Sequence, residues 1–130
     1  MAFQCVVVTP EEQTFDQTVT QAILPAHDGE IGILTGRAPL LVKLGQGALR
    51  LDVQGSGRQT FYVEGGVAQM KDNRLTILTD EALKPSDISR ESARAELAEA
   101  TARRITDEKS FDDRQRQMAR ARALEAMATK

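Results

Sequence analysis

The spacing of hydrophobic and polar positions changes once along this chain. From Phe3 to about Leu83, apolar residues come in short groups rich in Val, Ile, Leu and Thr, interrupted at brief intervals by Gly, Pro, Asp or Asn. In "ALRLDVQ", Leu49, Leu51 and Val53 alternate with Arg50, Asp52 and Gln54, the pattern of a strand with one buried and one wet face. "GSGRQTFYVEGG" continues the scheme: Gly55 and Gly57 supply the positive φ of a tight hairpin, and Phe61 and Val63 point together from the next strand. In "KDNRLTILTD" an Asp72-Asn73 turn feeds a strand carrying Leu75 and Ile77. About eight to ten short strands with no helix between them predict an all-β sandwich or flattened barrel over residues 1–84.

Over residues 85–130 the period becomes helical. Pro85 ends the last strand, Ser86 or Asp87 is the expected N-cap, and neither Gly nor Pro occurs afterwards. Ile88, Ala95, Ala98, Ala102 and Ile105 are the expected apolar face of a first helix, with acids early and Arg103-Arg104 late, as the helix dipole favours. "TDEKS" breaks the pattern, and Ser110, followed by Phe111, Asp112 and Asp113, is the expected N-cap of a second helix. The predicted class is therefore α+β: an N-terminal β-sandwich followed by a C-terminal antiparallel two-helix hairpin.

That hairpin has ten alanines against seven large apolar side chains, Ile88, Leu97, Ile105, Phe111, Met118, Leu124 and Met127. Apolar burial contributes roughly 25 cal/mol per Å², so an alanine-lined seam gains little against the entropy of ordering each residue. A weakly docked, displaceable hairpin is the expectation.

Composition and charge narrow the function. The 130 residues suffice for one domain and an appendage, and with 41% hydrophobic but only 4% aromatic residues and no Trp, aliphatic packing must form the core. Net charge is -2, which gives no whole-chain basic face for nucleic acid. The residues through Pro85 hold 7 basic and 10 acidic side chains, and those from Ser86 hold 10 and 9, with bases crowded into "DRQRQMARARA". Cys5 is the only cysteine, so an internal disulfide and a CxxC metal site are excluded, and "FQCVVV" reads as a strand burying a small apolar thiol. No apolar run approaches the roughly 20 residues that span a bilayer, and no secretory signal pattern opens the chain. A reducing, aqueous compartment is expected, with any membrane contact made through another protein.

"HDGEIGILTGRAPLL" is the stretch that most invites a catalytic reading. A nucleotide P-loop needs GxxxxGK[ST] opening a helix, because a lysine must reach the phosphates and a hydroxyl must hold magnesium. "GILTGRAPL" has one spacer too few, arginine for lysine, no following Ser or Thr, and a proline opening a strand. Ser56 in "QGSGR" lacks the spacing of a nucleophile elbow, and His27 has no assigned nucleophile or companion ligands. The residues themselves predict turns: Asp28-Gly29 reverses the chain, Glu30 to Leu34 is a strand, Gly36 permits a second reversal, and Pro39 starts an edge strand. No active site of its own, and no metal, is expected.

Taken together, "DGEIGILTGRAPLLVKLGQGALRL" and "VEGGVAQMKDNRLTILTDEA" resemble the epsilon subunit of the bacterial and chloroplast F-type ATP synthase, which corresponds to the mitochondrial delta subunit. The signature is G-E-x-G-I, then G-x-A-P-L-L, then E-G-G, and the resemblance covers nearly the whole chain. It implies a sandwich that grips the rotor, one side against the gamma subunit and the end near Gly29 and Glu30 on the polar loops of the c-ring. Arg37 stands in that region where many relatives have His, and Thr35 where relatives often have Pro.

The resemblance also implies a hairpin that lies folded or extends into the catalytic head of alpha and beta subunits, where it hinders ATP hydrolysis. Arg114, Arg116, Arg120 and Arg122 would then face acidic segments of the beta subunits. Some bacterial relatives bind ATP through I/L-D-x-x-R-A on the first helix; Asp87 and Arg90 match here, whereas Ser86 and Glu91 depart. ATP is thus the one regulatory ligand implied, and no other cofactor is. The expected location is the cytoplasmic face of a bacterial plasma membrane, held there by the complex, with a chloroplast thylakoid as the alternative. Two other functions fit the residues alone, a free-standing adapter and an ATP-sensing binding module.

Overall fold

A computed structural model describes residues 2–26, 28–34 and 39–128. The chain forms two compact units, one ending at Leu83 and one beginning at Lys84.

Among the described residues the first unit holds nine strands: β1 Phe3–Val8, β2 Gln13–Ala26, β3 Gly29–Leu34, β4 Leu40–Lys43, β5 Gln46–Val53, β6 Gly57–Glu64, β7 Val67–Lys71, β8 Arg74–Leu78 and β9 Ala82–Leu83. They connect in the order β4-β7-β8-β1-β2-β5-β6-β9, with β3 also on β2. The eight to ten strands expected from the sequence are thus present as a sandwich. The long strand β2 makes both layers continuous: its first half pairs with β1 through Val19, and its second half pairs with β3 and β5. Between Val19 and Gln21 the register to β5 shifts. Thr20 is the extra residue, and such a bulge bends the strand so that it passes from one layer to the other.

The core follows the alternation. Cys5 and Val7, Leu49 and Leu51, Phe61 and Val63, and Leu75 and Ile77 all point inward. Phe15 and Phe61 meet edge to face with ring centroids 5.8 Å apart, joining the first half of β2 to β6 across the interior. Burial, with the Asp16 charge as a second cause, pushes the Cys5 thiol up to about 12, so it is an inert packing group.

The turns carry the chemistry their residues predict. Asp72 and Asn73 both have positive φ, 52° and 58°, as the two-residue turn between β7 and β8 requires. The Gly65-Gly66 pair has a steric cause as well: a Cβ on Gly66, whose φ is +101°, would lie 1.9 Å from the Leu78 carbonyl oxygen. Beside it, the buried Thr79 hydroxyl accepts from the Glu64 amide and is within donating distance of the Glu64 and Glu81 carbonyls.

The second unit holds a 3-10 turn at Pro85–Asp87, then α1 Arg90–Ala102 and α2 Glu108–Met127. Both expected N-caps are corrected here. Ser89, not Ser86 or Asp87, caps α1 by accepting from the Ser92 amide, because Pro85 first directs the chain into the 3-10 turn. Asp107 caps α2: its Oδ1 accepts from the Ser110 amide at 2.7 Å, and Ser110 Oγ accepts from the Asp107 amide at 3.0 Å. Ser110 is thus the N3 member of a capping box.

The expected apolar face of the first helix is corrected too. Ala93 and Ala100 are buried with Leu97 half-buried, while Ala95, Ala98 and Ala102 are exposed. Ile88 and Ile105, which set the phase of the expected stripe, lie outside α1 and so do not report its face. Arg103 and Arg104 also fall beyond the helix, which leaves its last turn without a basic residue.

Candidate functional site

Three surfaces can be built from these elements, two on the sandwich and one on the hairpin.

The first is the β2–β3 turn. Gly29, with φ +139°, opens β3, and Glu30 follows it with its side chain exposed. Glu30 pairs with Pro25 and Arg50 pairs with Ile23, so the two side chains lie diagonally across β2. Arg50 Nη1 donates to Glu30 Oε2 at 2.6 Å, and more than half of the Glu30 side chain remains open to solvent. A Cβ on Gly29 or Gly32 would meet nothing, so the turn is thin and its backbone is accessible on both sides of Glu30. Arg37, Thr35, Gly36 and His27 lie outside the described residues.

The second is the outward face of β4, β7 and β8. Along β4 the alternation sends Leu40 and Val42 to the core and Leu41 outward, where it is 69% exposed. Register places Lys43, Val67, Leu78 and Val8 in one cross-strand row. Val67 and Leu78 are 37% and 48% exposed, and an open groove beside them is lined by Val8, Pro10, Gly66 and Thr79. The face thus sets three large exposed apolar residues beside Lys43, Lys71 and Arg74, the mixture of apolar and charged side chains that a contact surface can use.

The third is the basic stretch of α2, whose four arginines do not form a single open patch. Arg114 reaches across to α1, donating from Nε to the Ala100 carbonyl at 3.3 Å and from Nη2 to the Thr101 carbonyl at 3.1 Å. Arg120 pairs with Glu96 of α1 at 3.5 Å, and Arg116 pairs within its own helix with Asp113 at 3.6 Å. Arg122 is exposed and has no ion pair among the described residues. On α1, Arg90 Nη2 donates to the Ala128 carbonyl at 3.0 Å, and Arg94 pairs with Glu125 at 3.0 Å. Asp87 ends the 3-10 turn with its side chain exposed, so Asp87 and Arg90 are near in sequence but differently used.

Sequence reasoning missed these cross-helix bonds. Their signal was indirect: both helices end without a basic residue in the last turn, and neither is followed by glycine, so their terminal carbonyls need donors from elsewhere. Among the described residues no three His, Cys, Asp or Glu side chains are grouped as metal ligands, and no helix is long and apolar enough to cross a membrane.

Residues 2–85 match the family model for the ATP synthase delta/epsilon chain, beta-sandwich domain. The chain belongs to the ATP synthase delta/epsilon family. The ATP synthase epsilon chain of Rhodopirellula baltica is 41% identical over 100 residues, 77% of each chain. That of Granulibacter bethesdensis is 37% identical over 103 residues, 79% of this chain and 76% of the relative. The fold extends further than the sequence match. A chain in the Euglena gracilis mitochondrial ATP synthase structure, which contains OSCP, F1 and the c-ring, superposes with TM-score 0.86 at 23% identity, covering 96% of this chain and 80% of that one. One in the central stalk and c-ring of Tetrahymena thermophila mitochondrial ATP synthase superposes with TM-score 0.72 at 16% identity, covering 97% and 96%. In this delta/epsilon chain, the E-G-G signature is thus a fold requirement at Gly66, whereas G-E-x-G surrounds an exposed carboxylate.

Proposed function

We propose that this chain is a non-catalytic central-stalk subunit that couples the gamma subunit to the c-ring during ion-driven ATP synthesis, and that its hairpin restrains ATP hydrolysis by the assembled enzyme. The observation that carries the reading is the pairing of a family-wide match over the sandwich with two contact surfaces on that same unit. The apolar face of Leu41, Val67 and Leu78 is the side assigned to gamma, where burying large side chains gives affinity. The thin turn at Gly29 and Glu30 is the end assigned to the polar loops of the c-ring, with Arg50 fixing the direction of the carboxylate. Arg37 belongs to this surface by family analogy.

The hairpin supplies regulation. Among the described residues its buried side chains are Ile88, Ala93, Ala100, Ala121, Leu124 and Ala128, four alanines with two large apolar residues, so opening the hairpin exposes only a modest apolar surface. Binding energies of a few kcal/mol suffice to shift such an equilibrium. In the extended form, Arg114, Arg116, Arg120 and Arg122 meet acidic segments of the beta subunits. ATP has no part in this reading, since Arg90 is held by Ala128 and Glu91 places an acid at the position where ATP-binding relatives have alanine. The chain is peripheral to the membrane and held at the cytoplasmic face of a bacterial plasma membrane through the complex.

The test is affinity purification of the tagged chain from solubilised membranes. Recovery of alpha, beta, gamma and c subunits in one complex is the expected result, and recovery of the chain alone would favour a free-standing adapter.

A further inference from the structure

We infer that Arg90 and Arg114 are a reciprocal latch that sets how often the hairpin opens, and that Arg114 alone of the two is shared between closure and the catalytic head. The second half of this inference rests on the inhibitory reading above; the first half does not.

The two contacts sit at opposite ends of the hairpin. Cross-helix partners run in opposite senses, Arg90 with Ala128, Arg94 with Glu125, Glu96 with Arg120, and Ala100 with Arg114, so the start of each helix lies beside the end of the other. Each helix ends in carbonyls beyond its regular i to i+4 ladder, at the negative end of its dipole. Arg90 is the first residue of α1 and takes the carbonyl of Ala128, the C-cap of α2. Arg114 lies in the second turn of α2 and takes the carbonyls of Ala100 and Thr101, in the last turn of α1. A guanidinium can serve both carbonyls at once because its donors form a planar fork, whereas an ammonium is a single point.

These bonds add charged donors at both ends of the seam. Alanine burial contributes little, and the Arg94–Glu125 and Arg120–Glu96 pairs each have one exposed and one half-buried partner, so solvent screens them in part. Charge-assisted bonds to helix-end carbonyls are stronger than neutral ones, and at the end of α1 Arg114 joins the Arg103 amide on the Ala100 carbonyl while also serving that of Thr101. Opening the hairpin therefore means breaking the bond of Arg90 at one end and the two bonds of Arg114 at the other, and Arg114 cannot hold α1 and an external carboxylate together. An acidic partner competes with closure for Arg114, while Arg90 serves closure only.

The test uses the full chain and the assembled complex. In the isolated full chain, Arg90→Gln and Arg114→Gln each raise amide exchange across residues 90–128 by about tenfold, a bond to a charged donor being lost. Strands β1 to β8 exchange as before, and Arg122→Gln changes neither region. Arg114→Lys restores part of the protection. In the complex, Arg90→Gln lowers ATP hydrolysis, because more hairpins extend, whereas Arg114→Gln does not, because the extended form has lost a contact. Exchange within twofold of the unmodified chain in both Gln variants would overturn the latch. Faster exchange in both with hydrolysis unmoved in both would overturn the competition and the inhibitory reading while establishing the latch.

Discussion

Arg50 and Glu30 meet at 2.6 Å on the outer face of the sandwich, bridging β5 to the β2–β3 turn across the intervening strand. Both side chains are more than a third exposed, so the pair does little for stability and much for direction: it holds a carboxylate outward on a glycine-framed turn. Glu30→Lys is expected to leave Tm within about 3 °C, since exposed pairs contribute less than about 1 kcal/mol. The same substitution should reduce coupled ATP synthesis in the complex, measured against unchanged hydrolysis. Unimpaired coupling would remove the turn from the rotor contact.

The apolar face gives a second separation of folding from assembly. Leu78→Glu places a charge at a position already half in solvent, so the sandwich stays folded by amide exchange. Affinity for gamma should fall about tenfold or more if this face is the core of the interface, where truncations are most damaging. Tight binding by the variant would move the gamma contact to another side.

Gly66→Ala tests the fold itself. The added Cβ would meet the Leu78 carbonyl at 1.9 Å on a backbone with φ +101°, and neither strand can yield without breaking the β7–β8 ladder. Strain and backbone displacement together should destabilise the sandwich by roughly 3 kcal/mol, lowering its Tm by about 10 °C or more. Gly29→Ala has only its φ to contend with and should have a smaller effect, read by the same thermal melt.

Acid should loosen the two units at different groups. The Ser110 amide and hydroxyl hold Asp107 below the usual carboxylate range, and the Arg58 guanidinium does the same for Asp52. A lowered folded-state value means a contribution present above the ordinary carboxylate pKa, about 3.9, and lost as pH falls through the lowered value. Helicity of α2 and protection of the β5–β6 hairpin should therefore hold at pH 5 and decline below about pH 4. Asp107→Asn, which keeps the capping acceptor without the titration, should flatten the helical part of that decline. A decline unchanged in the variant would place its origin elsewhere.

The strands were legible because alternation reports burial directly. Leu49, Leu51 and Val53 could face inward only if Arg50 and Asp52 faced outward, and Asp72-Asn73 could adopt two positive φ values only in a tight turn. The helix caps were ambiguous because Ser86, Asp87 and Ser89 all have capping side chains, and the choice depends on the 3-10 turn that Pro85 starts. At α2 the acceptor and the N3 residue both qualify as caps, and only the reciprocal geometry assigns Asp107 to the first role. The arginine partners were not legible, since Ala100 and Ala128 offer backbone carbonyls that carry no sequence signal, and the register of two helices decides which arginine meets them.

The most direct test of a rotor subunit with a restraining hairpin is ATP hydrolysis by complexes whose chain ends at Leu83. The buried core cluster lies wholly within the first unit, so the shortened chain should still join gamma and the c-ring. Assembly intact with faster hydrolysis is the predicted result; assembly intact with hydrolysis unchanged or slower would contradict it.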